Sequence, residues 1–166
     1  MDDRLWFAVQ TWPRYEKKVA AELHNKAIEV FLPLQAELHQ WSDRRRTVDL
    51  PLFPNYVFVR IPERLDTRIP VLRTNGVSTF VGMRGAGTPI PESEIESVRT
   101  VLRRGIAWQN YPFPRAGDRV RIRGGSLDGV EGILVGKTDE RSLIVSINII
   151  QRSLAVRVSG YRIEAA

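Results

Sequence analysis

The stretch Leu52-Phe53-Pro54-Asn55-Tyr56-Val57-Phe58-Val59 constrains the fold more than any other part of this chain. Proline fixes its own φ and biases the preceding residue away from helix, so Phe53-Pro54 enters in an extended conformation. The strand that follows alternates, with Tyr56 and Phe58 on one face and Val57, Val59 and Ile61 on the other. An aliphatic face for a core and an aromatic face pointing elsewhere let one strand both pack and bind. From the strand alone, packing under a helix is the ordinary reading of Tyr56 and Phe58, since most strand aromatics are core residues.

Around this strand the spacing predicts a mixed layer of strands and helices. Phe7–Thr11 reads as a first strand, ended by Pro13, and Tyr15, Val19, Leu23 and Ala27 recur every four residues, predicting an amphipathic helix over 15–27. Val30–Leu34 and Leu38–Trp41 read as strand or loop, and Ser42-Asp43-Arg44-Arg45-Arg46 as a polar hairpin tip returning through Thr47–Leu50. Pro62-Glu63 opens a short helix through Leu65 and Ile69, limited by Pro70 and Asn75-Gly76. Val77–Val81 is a further strand, followed by a loop with Gly82, Gly85 and Gly87. Ser93-Glu94-Ile95-Glu96 has the form of a capping box, with Ile95, Val98 and Leu102 as the buried stripe and Gly105 as the stop.

Residues 104–115 read as a linker carrying Pro112 and Pro114, with Trp108, Tyr111 and Phe113 as groups that would tack it onto a neighbouring domain. Beyond it the pattern is all β. Val120 and Ile122 alternate with Arg119, Arg121 and Arg123, Asp128-Gly129 marks a tight turn, and Leu143, Val145, Ile147, Ile149 and then Leu154, Val156, Val158 alternate again. The expected fold class is α+β: an N-terminal α/β sandwich over 1–103, the short linker 104–115, and a small five-stranded β-barrel over 116–166. Leu143, Ile147, Ile150 and Leu154 also fit a helical spacing, but Ile and Val favour the pleated surface and Gly132 and Gly136 each weaken a helix by about 1 kcal/mol.

Composition narrows the function classes. Hydrophobic content of 43% and charged content of 27% are those of a globular protein, with no apolar run long enough to span a bilayer and no signal-peptide pattern at Met1-Asp2-Asp3-Arg4. The absence of cysteine removes disulfides and thiolate metal sites, and a cytoplasmic protein is expected. The net charge of +6 is thinly spread, permitting local phosphate contacts rather than bulk coating of nucleic acid. His24 and His39 match no metal spacing, the glycines form no phosphate loop, and no nucleophile–base pattern is evident; neither an enzyme nor a cofactor is expected.

The order of Trp6-Phe7-Ala8-Val9-Gln10-Thr11, Phe53-Pro54-Asn55-Tyr56-Val57-Phe58-Val59, Asn75–Gly82, Pro91–Ile95 and Gly117–Ile122 with Gly125, Gly129 and Gly132 resembles the NusG family of transcription elongation factors. The resemblance runs from about Leu5 to Glu164. Asn55, where the housekeeping members usually carry glycine, looks more like the specialised RfaH-like paralogues, as do the short linker and the length. The resemblance implies an NGN-like first domain and a KOW (SH3-like) barrel. It also implies docking on the β′ clamp helices of RNA polymerase through an apolar depression, onto whose positions Phe53, Tyr56 and Phe58 fall. For exposed non-template DNA the matching and neighbouring positions are Arg14, Lys17, Lys18, Arg73, Thr74 and Asn75, with Trp12 as a base-stacking candidate. A second polymerase contact would fall near Thr67-Arg68-Ile69-Pro70, where this chain departs from the RfaH pattern. In the barrel, Ile147, Ile149 and Ile150 lie near the family's partner-facing loop, and the partners implied are a small-subunit ribosomal protein or Rho.

The expectation is therefore a monomeric, membrane-free elongation or antitermination factor that suppresses pausing or termination. The rival class is a ribosome-associated RNA-binding KOW protein; the stripe Arg119, Arg121, Arg123 could meet RNA or an acidic partner surface, and the tip Arg44-Arg45-Arg46 could reach DNA phosphates. The stripe reads equally well as ordinary barrel exterior, whereas the charged tip reads first as solvated surface.

Overall fold

Two strands with apolar residues on both faces form the centre of the first half of the molecule. In the computed structural model, which describes residues 2–40, 42–114, 117–136 and 140–166, β1 (Arg4–Thr11) pairs antiparallel with β5 (Tyr56–Pro62), Phe7 opposite Val59 and Val9 opposite Val57. With β2 (Glu29–Phe31) and β6 (Val77–Phe80) they make a four-stranded sheet in the order β2-β5-β1-β6. β3 (Leu34–Gln40) and β4 (Arg45–Pro51) form a separate two-stranded ribbon. Arg45 and Arg46 belong to β4 rather than to the tip, because they pair with Gln40 and His39. Trp41, Arg115 and the side chain of His39 lie outside the described residues.

The alternation expected of β5 is observed. Val57, Val59 and Ile61 join Phe7, Val9 and Phe80 in a core closed by Val19 and Leu23 of helix α1 (Glu16–Asn25) and Val71 of helix α2 (Leu65–Leu72). Helix α1 stops before Ala27, whose left-handed φ of 60° is the helix's exit. There the N–H of Ala27 bonds His24 O and that of Ile28 bonds Leu23 O, a Schellman arrangement. Pro70 sits inside α2 rather than at its end; the helix is so short that losing one N–H donor is tolerated.

By contacts the chain divides into Met1–Pro89 and Ile90–Ala166, so the division falls ahead of the third helix rather than within residues 104–115. Helix α3 (Glu92–Arg103) packs against strands of the second unit, burying Ile95, Val98 and Val101 and leaving Leu102 half-buried. The expected capping box is not formed: Pro91 is the N-cap, Ser93 lies inside the first turn, and Glu96 bonds Arg99 at 2.8 Å. Gly105 does end the helix, with φ 65° and Schellman bonds from Gly105 to Leu102 and from Ile106 to Val101.

The supposed linker contains a strand. β7 (Trp108–Tyr111) pairs with β11 (Arg152–Arg157), Trp108 opposite Val156, because an unpaired backbone next to an open sheet edge gains a hydrogen-bond ladder by joining it. β8 (Asp118–Arg123), β9 (Glu131–Val135), β10 (Ser142–Ile147) and β12 (Arg162–Ala165) complete a barrel-like sheet in the order β12-β8-β9-β10-β11-β7. The segment with mixed helical and strand spacing is thus β here, with Leu143 opposite Val156 and Val145 opposite Leu154. Gly132 shows why glycine stands in β9: a Cβ there would lie 2.3 Å from the carbonyl oxygen of Ile144. No helix among the described residues is long and apolar enough to cross a membrane.

Candidate functional site

The Phe53-Pro54-Asn55-Tyr56 turn is built on one left-handed residue. Asn55 has φ 74°, its carbonyl accepts from the N–H of Thr11 at 2.8 Å, and its own N–H donates to Glu16 Oε2 at 3.3 Å. Glycine adopts this conformation freely and asparagine is among the residues that tolerate it best, so Asn and Gly are alternative answers to one backbone requirement. Beyond the turn, Phe53 and Phe58 meet edge to face at 6.2 Å, Phe58 lies 6.1 Å from Phe31, and Phe31 lies 6.4 Å from Trp6. Phe53 and Phe58 are buried, so they pack within the first unit rather than forming an open aromatic face. Tyr56 alone of the three is partly accessible.

The residues singled out for DNA separate into two groups and one misassignment. Trp12, 48% exposed, sets its ring against Tyr15 at 5.3 Å, and Lys18 Nζ lies 5.1 Å from the centre of the Tyr15 ring. Trp12 N–H bonds Gly76 O at 2.8 Å, and Tyr15 packs so closely on Gly76 that a Cβ there would sit 2.6 Å from its ring. The loop carrying exposed Arg73 and Asn75 is thereby fixed beside Trp12, Tyr15 and Lys18. Arg14 and Lys17 instead line a cleft against the ribbon. Thr74 is buried: its hydroxyl donates to Pro70 O at 2.9 Å and accepts from Lys26 Nζ at 2.9 Å, so it fastens the end of α2 and has no free face.

In the Thr67-Arg68-Ile69-Pro70 stretch, Thr67 Oγ1 is committed to Pro62 O and Arg64 O, each at 2.7 Å. Arg68 is buried with its guanidinium 4.8 Å from the Phe7 ring centre and bonded to Arg64 O at 2.8 Å. Both side chains hold α2 onto its own sheet.

In the second unit Ile147 and Ile150 are core residues, and only Ile149 has surface. Ile147 precedes, and Ile149 and Ile150 belong to, a single 3-10 turn, Asn148–Ile150, whose first residue is held by Glu94 of α3: Asn148 N–H to Oε1 at 2.8 Å and Nδ2 to Oε2 at 3.3 Å. Burial pushes the Glu94 carboxyl above the usual carboxylate range, opposed by the Asn148 N–H and the charge of Arg119. The arginine stripe is paired with carboxylates, two of its guanidiniums sharing one of them. Arg119 and Arg121 both bond Glu131, and Arg123 bonds Glu164. The hydrogen bond from Arg121 holds the Glu131 carboxyl below its ordinary value. Among the described residues no group of His, Asp and Glu side chains is arranged to hold a metal.

Sequence reasoning missed Glu16 and Glu94, because charged residues on amphipathic helices read as solvent-facing until the partner across the helix is known.

A sequence model described as "Transcription termination factor nusG" matches residues 4–99. The chain belongs to the NusG family. It is 28% identical to the transcription termination/antitermination protein NusG of Borreliella burgdorferi, covering 97% of this chain and 98% of that one. It is likewise 28% identical to the protein of the same name from Lactococcus lactis, covering 98% and 93%. Among solved structures, Thermotoga maritima NusG shares the fold at 20% identity with a TM-score of 0.55, covering 98% of this chain and 97% of that one.

Proposed function

We propose that the chain is a transcription elongation factor of the termination/antitermination class that docks on RNA polymerase at the β′ clamp helices. The observation that carries the reading is the family match over residues 4–99, which includes the whole Phe53–Phe58 segment with the partly open Tyr56 at its surface. Tyr56 is the contact residue, and buried Phe53 and Phe58 are the packed floor that fixes its strand. An aromatic on rigid support loses little entropy when a helix covers it, which is how interface anchors gain their energy. Binding of this kind alters pausing only through a difference in affinity between the pausing and elongating states of the polymerase.

Lys18, Arg73 and Asn75, grouped beside Trp12, are the surface for exposed non-template DNA, with Trp12 as a stacking platform. The barrel recruits a small-subunit ribosomal protein or Rho, and Ile149 is the accessible residue for it. The RNA-binding alternative is disfavoured because Arg119, Arg121 and Arg123 are each engaged by Glu131 or Glu164, which offsets most of the stripe's positive charge. The test is binding to an isolated β′ clamp-helix fragment. Tyr56→Ala, checked for an unchanged circular dichroism spectrum, is expected to weaken it by about tenfold or more, as loss of an aromatic anchor does. Equal binding by wild type and variant would remove Tyr56 from the interface.

A further inference from the structure

The first unit holds a cleft that polymerase docking through Tyr56 leaves without a role. It lies between the start of α1 and the base of the β3–β4 ribbon, with a volume of about 570 Å³. Pro13, Leu50, Pro51 and Pro54 give it apolar walls. Two carboxylates line the same space, Glu16 from α1 and Asp49 from β4. Glu16 is only 5% exposed, yet among the described residues its carboxylate receives a single long hydrogen bond, from Asn55 N–H at 3.3 Å. A carboxylate has about four acceptor positions, so the Glu16 carboxylate on the cleft wall has room for further donors. Among the described residues neither Glu16 nor Asp49 is held in an ion pair. Arg14 and Asn55, both lining the cleft, have left-handed φ values of 67° and 74°. Such backbone strain in non-glycine residues clusters at binding sites.

We propose that this cleft receives an arginine side chain of the protein that docks beside it, its guanidinium N–H groups donating to Glu16 and Asp49. A planar guanidinium is weakly hydrated, offers five donors to carboxylate oxygens and packs flat against apolar walls, which an ammonium or a neutral amide does less well. Pro54 and Asn55 belong both to the cleft and to the segment carrying Phe53 and Tyr56, so the arginine enters at the margin of the docking surface. To that extent the proposal rests on the docking reading. A phosphate group is the poorer occupant, because it would face the two carboxylates; Arg14 and Lys17 are exposed and make single-stranded nucleic acid the competing outcome.

The test is an NMR titration of the ¹⁵N-labelled full chain, followed at the Lys17, Asp49 and Asn55 amides. The probes are N-acetyl-arginine methylamide, its uncharged citrulline analogue, and a short single-stranded DNA. The expected result is saturable movement with the arginine compound, little with citrulline, and loss of the response in Glu16→Gln and in Asp49→Asn. Asp49 is exposed on the ribbon, so its variant keeps the test intact should Glu16→Gln disturb the Asn55 turn. Equal response to citrulline, persistence in both variants, or movement with DNA alone would overturn the proposal. A second arm measures the clamp-helix fragment, where each variant is expected to weaken binding by about five- to tenfold, the range for losing a charge-assisted contact. If wild type does not bind the fragment, docking fails while the titration still decides the cleft; if wild type and both variants bind alike, the arginine contact fails and docking stands.

Discussion

Replacing Gly132 by alanine would drive a methyl group into the backbone of the adjacent strand. Gly132 lies in β9, and its φ is not in the left-handed region, so steric space rather than conformational freedom is at stake. The added Cβ would stand 2.3 Å from Ile144 O, 2.9 Å from Ile144 C and 3.1 Å from Leu143 Cγ. Restoring ordinary contact requires β9 and β10 to separate by about 1 Å, enough to break a hydrogen bond whose normal length is about 2.9 Å. The pairs at risk are Ile144 with Ile133 and Leu143 with Leu134. Overpacking of this kind costs about 1–3 kcal/mol, and one or two lost ladder bonds add about 1 kcal/mol each, so a total of about 2–5 kcal/mol is expected. For a unit of this size, 1 kcal/mol corresponds to about 4–8 °C, so the barrel should melt at least about 8 °C earlier. Thermal melting of the full chain by circular dichroism, with hydrogen exchange at the Leu143–Val145 amides, reads this directly. A melt within about 3 °C of wild type and unchanged protection of those amides would refute the close-approach argument.

Two further outcomes follow from particular side chains. Ala27 occupies the left-handed position after α1, so Ala27→Gly should relieve about 1 kcal/mol of strain, partly offset by glycine's greater unfolded entropy, for a net gain of about 0.5 kcal/mol in a urea melt. A lower urea midpoint for the variant would contradict it. For Glu94 the folded carboxyl binds its proton more tightly than the unfolded one, so the native state holds more protons between the two values and stability falls as pH rises through that window. Glu94→Gln, neutral throughout, lacks this slope. Its stability relative to wild type should therefore improve from the unfolded carboxyl value, about 4.3, upward, and a constant difference across that range would show that burial does not control the group.

The apolar periodicity of β5, α1 and the barrel strands was legible in the sequence because a strand or helix that buries one face must repeat with a period near 2 or 3.6. The order of these elements also carried the family. Glycine positions were legible too, and the Asp128-Gly129 turn and the Gly105 helix stop stand where they were expected. The candidate site was less legible. Tyr56, Lys18, Arg73 and Asn75 are accessible, whereas Phe53, Phe58, Thr74, Ile147 and Ile150 are buried.

The difference lies in what each level of structure specifies. Local sequence determined which residues share a strand or helix face, since that depends on backbone geometry alone. Only the tertiary structure decided which face is covered and which carboxylate meets which donor. Glu16 and Glu131 are both acidic residues on amphipathic elements, yet one meets a single amide and the other meets two arginines. β7 shows the same limit: its four residues have no periodicity of their own, and they are a strand because β11 presents an open edge to them. Pairing and burial join residues far apart in the chain, and no spacing rule within a segment encodes the neighbour that another segment brings.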